Sequence, residues 1–340
     1  MIKYQPRIGR PLLLAIICLL SLSCGAPKSE GPALPREPAP RAAAVPGRLV
    51  GCIATTCSED MAIYGDYVYV ADGPAGLRVI NCTDPVRPIL AKTVPTTYAI
   101  RVFRYSTYLY LCDGPAGLKV FSIQNPLDPL LTQTTDTEWA CSATFGNGYL
   151  YLADYYHGVM IFYMADPAHP ALAVTKSIGR ARDVIVNGAT LAISDAPFGL
   201  TTFFFNGILE PIWTYSDCTR LGNFEDLVGH DGYAIIARSD EASSIAVFDI
   251  SDPFYVQFVR ELYPARYIDG LTASGDVLLA ACGEEGVKGF DLSDPARLDL
   301  LWTMPVSGYA RRAKASGRFI YVAEMSSLSI YDREGLGGSW

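Results

Sequence analysis

A single motif recurs seven times along this 340-residue chain, and its spacing restricts the fold more than any other feature. Two copies are nearly identical: Tyr67-Val68-Tyr69-Val70-Ala71-Asp72-Gly73 and Tyr108-Leu109-Tyr110-Leu111-Cys112-Asp113-Gly114. The others end at Asp154, Asp195, Arg238, Cys282 and Glu324, so successive copies are 41, 41, 41, 43, 44 and 42 residues apart. A period of this size belongs to a unit that buries its apolar face only against its neighbours, either a propeller blade or a helical solenoid repeat. The apolar runs are four to six residues long, rich in Val, Ile, Tyr and Phe, and broken by Gly or Pro. Helical repeats need amphipathic runs of about ten residues or more, so the runs are strands.

Each unit reads as four strands. Met61–Tyr64 turns through Gly65-Asp66 into Tyr67–Ala71, a hairpin signal. Gly73–Gly76 leads to Leu77–Asn81, and Asp84-Pro85 and Arg87-Pro88 precede Ile89–Lys92. Seven such units predict an all-β, seven-bladed β-propeller of four-stranded antiparallel blades over residues 49–340. The last unit runs out after Leu328–Tyr331, and Arg48–Gly51 carries the pattern of the missing outer strand. The N-terminal strand is therefore expected to close the ring and cover its exposed edge.

The first 24 residues have a different character. Lys3, Arg7 and Arg10 precede the apolar run Leu12–Leu22, the layout of a secretory signal too short to cross a bilayer as a helix. Ser23-Cys24-Gly25 resembles a bacterial lipobox, although Ser21 stands where Leu is usual. The resemblance implies a signal peptide over residues 1–23 and lipidation at Cys24. Residues 24–48 hold six prolines among Ala and Gly and read as an extended tether. Without the three basic residues of the signal, 24 Lys and Arg face 35 Asp and Glu, a net charge of −11. That balance argues against nucleic acid and against electrostatic docking on anionic lipid, leaving a lipid anchor as the expected membrane contact of a bacterial envelope protein at the outer membrane or cell surface. Cys52, Cys57, Cys82, Cys112, Cys141, Cys218 and Cys282 remain, an odd number read mainly as small apolar filler, with a Cys52–Cys57 bridge as one option.

The strand patterns carry a family resemblance. Ala246-Val247-Phe248-Asp249-Ile250-Ser251-Asp252-Pro253 and Gly289-Phe290-Asp291-Leu292-Ser293-Asp294-Pro295, with variants at Leu77–Pro85 and Ile161–Pro167, resemble the LVIVD repeat of bacterial exported proteins. The fourth unit, Thr201–Asn206, lacks the Asp-Pro step. The resemblance implies a β-propeller on an exported protein and brings no catalytic residues with it.

Aligning the units singles out the segments that lead into the innermost strands. One position reads Cys57, Tyr98, Trp139, Arg180, Asn223, Tyr267 and Tyr309; closer in lie Glu59, Asp60, Arg101, Arg182, Asp183, Glu225, Asp226, Asp269, Arg311 and Arg312. These groups either pair with neighbouring blades or form a binding funnel at the channel mouth. The funnel reading takes Tyr98, Arg101, Trp139, Arg182, Glu225, Asp226, Tyr267, Asp269, Tyr309 and Arg312 as the ligand-binding set. Asp72, Asp113, Asp154 and Asp195 are expected to cap their own turns. No nucleophile elbow, zinc-protease pair or phosphate-binding glycine loop occurs, so no cofactor, metal or catalytic residue is assigned. The expected function is a membrane-anchored, monomeric binding or scaffold lipoprotein for a protein, glycan or small ligand. The alternative is an envelope hydrolase or lyase acting at the channel mouth.

Overall fold

The computed structural model describes residues 47–340 except 197–198, 206–208, 216–222, 240–242 and 253. The signal segment, Cys24, most of the tether and Cys218 lie outside these residues. The chain forms seven four-stranded antiparallel sheets, and in six of them the strand order follows the chain. Blade 1 consists of Asp60–Tyr64, Tyr67–Ala71, Leu77–Asn81 and Ile89–Val94. The innermost strands of blades 2 to 7 are Arg101–Tyr105, Ala140–Gly146, Arg180–Asn187, Asn223–His230, Gly270–Ser274 and Ala310–Ser316.

The seventh sheet is the exception. Its outer strand is Arg48–Ala54, paired antiparallel to Ser327–Asp332 with Leu49 opposite Tyr331 and Ile53 opposite Leu328. The seven-bladed fold and the closure by the N-terminal strand hold as the sequence predicted. Blade 4 keeps its outer strand, Leu209–Tyr215, paired to Gly199–Phe205 without an Asp-Pro step. That step works locally elsewhere: the Asp84 carboxylate accepts the Val86 N–H at 3.1 Å and the Asp166 carboxylate the Ala168 N–H at 2.9 Å, turning the chain toward the outer strand.

The apolar runs are continuous because each blade is covered on both faces. Successive side chains of a strand point to opposite faces. Val68 and Val70 pack with Tyr321, Leu328 and Ile330 of blade 7, whereas Tyr69 and Ala71 pack with Val102, Leu109 and Leu111 of blade 2. Equivalent clusters fill the other blade seams. The repeated tyrosine also ties blades together through its hydroxyl, Tyr69 to the Pro126 carbonyl at 2.9 Å and Tyr110 to the Pro167 carbonyl at 2.6 Å.

Cys52, Cys57, Cys82, Cys112, Cys141 and Cys282 are free thiols, so the Cys52–Cys57 bridge does not form. Cys82, Cys112 and Cys282 are buried filler, as their repeat positions suggested.

The closing strand leaves no room for a side chain at Gly51, where a Cβ would overlap the Pro85 carbonyl oxygen of blade 1. Backbone there must move to admit a methyl group. Gly51→Ala is expected to lower stability by about 1–3 kcal/mol, read as a lower urea midpoint with an unchanged slope.

Candidate functional site at the propeller axis

The register of the innermost strands puts one residue of each blade at an equivalent position facing the axis. Asp60 lies opposite Ala71, Arg101 opposite Cys112, Ser142 opposite Ala153 and Asp183 opposite Ser194. Asp226 opposite Ala237, Gly270 opposite Ala281 and Arg312 opposite Ala323 complete the ring. The partner on the second strand is always small. In blades 3, 4, 5 and 7 the register shifts just before the ring residue, at Cys141, Arg182, Glu225 and Arg311. Such bulges re-aim a side chain.

Asp226 is the hub. It is 1% exposed and accepts Arg101 Nη2 at 2.7 Å, Arg312 Nη1 at 2.5 Å and the Leu271 N–H at 2.5 Å. The two guanidiniums hold its carboxyl well below the ordinary range against the opposing effect of burial. Asp60 receives the Lys314 ammonium at 3.0 Å and the Val102 N–H at 3.1 Å, and its carboxyl is also lowered. Asp183 differs. It accepts the N–H groups of Val184 and Leu227 at 2.8 Å each, but its guanidinium contact, Arg101 Nη1, is 4.0 Å away. Burial first, with the adjacent Asp226 carboxylate also opposing ionisation, pushes it up to about 7. At neutral pH Asp183 thus retains a proton much of the time and hydrogen-bonds Asp226.

The same three aspartates lock successive blades together. Each accepts a backbone N–H from the innermost strand of the next blade: Asp60 from Val102, Asp183 from Leu227 and Asp226 from Leu271. Beside this cluster lies a cavity of about 230 Å³, also lined by Phe103, Thr144, Ile185, Val228 and Thr272.

Of the ten residues assigned to the mouth from sequence, Arg101, Asp226 and Arg312 meet at the axis. The Glu225 side chain lies outside the described residues. The other six stand on the rim and do not converge on the cavity. Tyr98 and Trp139 donate their backbone N–H groups to Asp113 and Asp154 at 2.7 and 2.9 Å. The Arg182 guanidinium sits 6.0 Å from the centre of the Tyr155 ring. Tyr309 hydrogen-bonds Asp269, and burial raises its hydroxyl well above the usual phenol range. Tyr267 is 48% exposed, with the Arg266 guanidinium over its ring. Glu59 and Arg311, which sequence reasoning left out of the set, form an ion pair across the seam of blades 1 and 7. For Arg101 and Arg312 the pairing account of the charges is the observed one.

Asp60, Asp183, Ser142 and Lys314 were missed as members of one cluster. The signal was present: stepping back from Asp226 by the repeat period lands on Asp183, Ser142, Arg101 and Asp60. The aspartates ending the second strands also differ from expectation. Asp72, Asp113 and Asp195 accept N–H groups from residues 15 or 16 positions upstream, where the chain approaches the innermost strand. Asp154 does this and also caps its own turn. They anchor the rim. Among the described residues no group of three or more His, Cys, Asp or Glu side chains is arranged to hold a metal ion.

The LVIVD repeat family matches residues 57–96 and 307–332, which cover blade 1 and the chain-terminal strands of blade 7. Two segments of this seven-bladed β-propeller are therefore similar to the LVIVD repeat. No curated protein matches it in sequence. Solved structures similar in fold include Saccharomyces cerevisiae Sqt1 (9% identity, TM-score 0.62, 84% of this chain and 99% of that one). The WD40 β-propeller domain of Doa1 aligns at 12% identity and TM-score 0.66 over 85% and 97% of the two chains. A putative 6-phosphogluconolactonase from Bacteroides uniformis aligns at 15% identity and TM-score 0.63 over 80% and 88%. At these identities the likeness concerns the fold alone.

Two outcomes follow from the propeller's axial charges. Asp226→Ala strands two guanidiniums in a buried site and is expected to cost about 3–5 kcal/mol, measured by denaturant unfolding. Asp183 has the opposite pH signature to a salt-bridged carboxylate. Unfolded, it ionises near ~3.9, whereas folded it titrates at about 7. Between those values the folded chain holds a proton that the unfolded chain has released. Its contribution is therefore fully present below about pH 4 and is lost as pH rises toward 7. Stability of the wild type relative to Asp183→Asn should fall across that window and level off above it.

Proposed function

We propose that this LVIVD-repeat propeller is an exported, lipid-anchored binding scaffold that presents the rim around its axis to a partner in the bacterial envelope. The observation behind this reading is the division of labour between axis and rim. Charges at the axis are engaged with one another and with backbone groups of neighbouring blades, so they hold the disc rigid. The rim carries aromatic and guanidinium groups on separate blades: Tyr98, Trp139, Tyr155 with Arg180 and Arg182, Tyr267 with Arg266, and Tyr309. Arg180 reaches the Tyr155 hydroxyl at 3.3 Å, and Tyr155 and Tyr156 stack edge to face. Aromatic and arginine side chains provide much of the binding energy at characterised protein interfaces. Their spread over a broad surface suits a macromolecular partner, protein or glycan, better than a small molecule.

A second reading, catalysis, is favoured by one feature, the protonated Asp183 beside the ionised Asp226 at the edge of a cavity. Paired carboxyl groups with separated titrations are able to serve as acid and base. A hydrolase or lyase activity on envelope substrates that disappears in Asp183→Asn while the fold is retained would support it.

Two measurements test the scaffold reading. Cys24→Ser should move the protein from the membrane fraction to the soluble exported fraction; unchanged partitioning would remove the anchor. In crosslinked envelope extracts, Trp139→Ala and Arg182→Ala should each reduce recovery of the wild-type partner, with a loss of more than about 1 kcal/mol for a hot spot. Undiminished capture by both folded variants would move the interface off this rim.

A further inference from the structure

The axial cluster is one negative charge short. Arg101, Arg312 and Lys314 bring three cations to it, and Asp60 and Asp226 are held ionised by direct ion pairs. Asp183 is the third carboxyl, and its burial, with Asp226 beside it, disfavours its charge more than Arg101 and Ser142 favour it. Asp226 lies beside it from blade 5, Ser142 hydrogen-bonds it from blade 3, and Arg101 reaches it only at 4.0 Å from blade 2. Cys112 of blade 2, Cys141 of blade 3 and Arg182 of its own strand are further titratable or charged groups nearby. With Asp183 protonated the cluster carries a net charge of +1 in a buried setting, where an uncompensated charge is costly.

One donor shows where an anion would sit. Arg312 is 5% exposed, its Nη1 is engaged by Asp226 and the Leu271 carbonyl, and its Nε is enclosed. Lys314 gives one ammonium hydrogen to the Met61 carbonyl at 2.5 Å and pairs with Asp60, leaving a third hydrogen on a side chain that is 25% exposed. Lys314 lines the 230 Å³ cavity, with Thr144 and Thr272 in the same wall. An engineered cavity of about 150 Å³ accommodates benzene, so this one has room for an acid of several heavy atoms. Phe103, Ile185 and Val228 offer its carbon chain an apolar side.

We propose that the axial cavity binds a small monocarboxylate, with its carboxylate against the Lys314 ammonium and its short apolar tail toward Phe103, Ile185 and Val228. A single negative charge completes the cluster, whereas a phosphate dianion would overshoot it. Ionisation of Asp183 satisfies the same deficit, so acid binding and proton retention by Asp183 support each other, and each raises the affinity for the other equally. The site is separate from the rim surface and stands whether or not the rim has a partner.

The test is calorimetric titration of the full chain in detergent with sodium butyrate, and with chloride and phosphate as comparators, at fixed ionic strength and at about pH 6 and about pH 8.5. Butyrate is expected to bind saturably at the lower pH and at least tenfold more weakly at the higher one. Asp183→Asn, which keeps that position neutral, should bind butyrate equally at both pH values. Thr144→Val, chosen to leave the ion pairs intact, should weaken butyrate severalfold without changing the melting temperature. Absence of saturable butyrate binding by the wild type, or an undiminished pH dependence in Asp183→Asn, would overturn the proposal. Chloride or phosphate binding as tightly as butyrate would overturn the assignment to a carboxylic acid.

Discussion

The inner part of each blade has no solvent face. Its two central strands alternate residues toward the blade before and the blade after, and both sets are fully buried: Val68 and Val70 on one side, Tyr69 and Ala71 on the other. Such a sheet is stable only between two others, so no blade can stand at an end. Closure of the ring is thus the condition for every other contact, and the pairing of Arg48–Ala54 with Ser327–Asp332 is what satisfies it. The same requirement explains why charges cluster at the axis. Seven innermost strands converge there, their partners on the second strand must be small, and the residues that fill the space are long enough to reach across it.

The axial network uses that crowding for order. Asp60, Asp183 and Asp226 each take a backbone N–H from the following blade, so the carboxylates add to the links that side-chain packing and backbone bridges such as Gly73 with Ala99 make between sheets. Buried ion pairs seldom contribute much net stability, because desolvation offsets the attraction. Their value here is in register. Arg101 comes from blade 2, Arg312 from blade 7 and Asp226 from blade 5, and all three meet only when the blades stand at the right heights around the axis. The rim is fixed in a similar way, by second-strand aspartates holding the segments that carry Tyr98, Trp139 and Arg180.

The fold was legible because it is written at two scales. Period-2 alternation gives the strands, and a spacing of 41 to 44 residues gives the blades, so each observation checks the other. The site was legible only in part. Repeat alignment correctly isolated the segments leading to the axis, but it treated adjacent positions alike. Arg311 and Arg312 are consecutive, yet one pairs with Glu59 across a seam and the other is buried against Asp226. The difference comes from a bulge present in blades 3, 4, 5 and 7 and absent from blades 1, 2 and 6, so a uniform offset misplaces side chains in some blades. Lys314 escaped notice because its counterparts two residues past the ring position are Ala62, Phe103 and Thr144, which share no chemistry. The tethers of Asp72 and Asp113 were also out of reach. Sequence shows a carboxylate beside a glycine turn, and only the folded sheet brings the upstream segment within bonding range.

The closing strand also sets the order of events when the chain is made. Arg48–Ala54 is among the first folded segments to be synthesised, and its partner Ser327–Asp332 is nearly the last. Until synthesis is almost complete, the first blade has no neighbour on one side, and Met61, Val68 and Val70 remain without the Tyr321, Leu328 and Ile330 surface that covers them. Contacts so distant in sequence form slowly, and uncovered strands are prone to pair wrongly in the meantime. A nascent chain of this architecture therefore spends its synthesis as an open arc with two adhesive ends. It becomes safe from other chains only at the moment its ends meet.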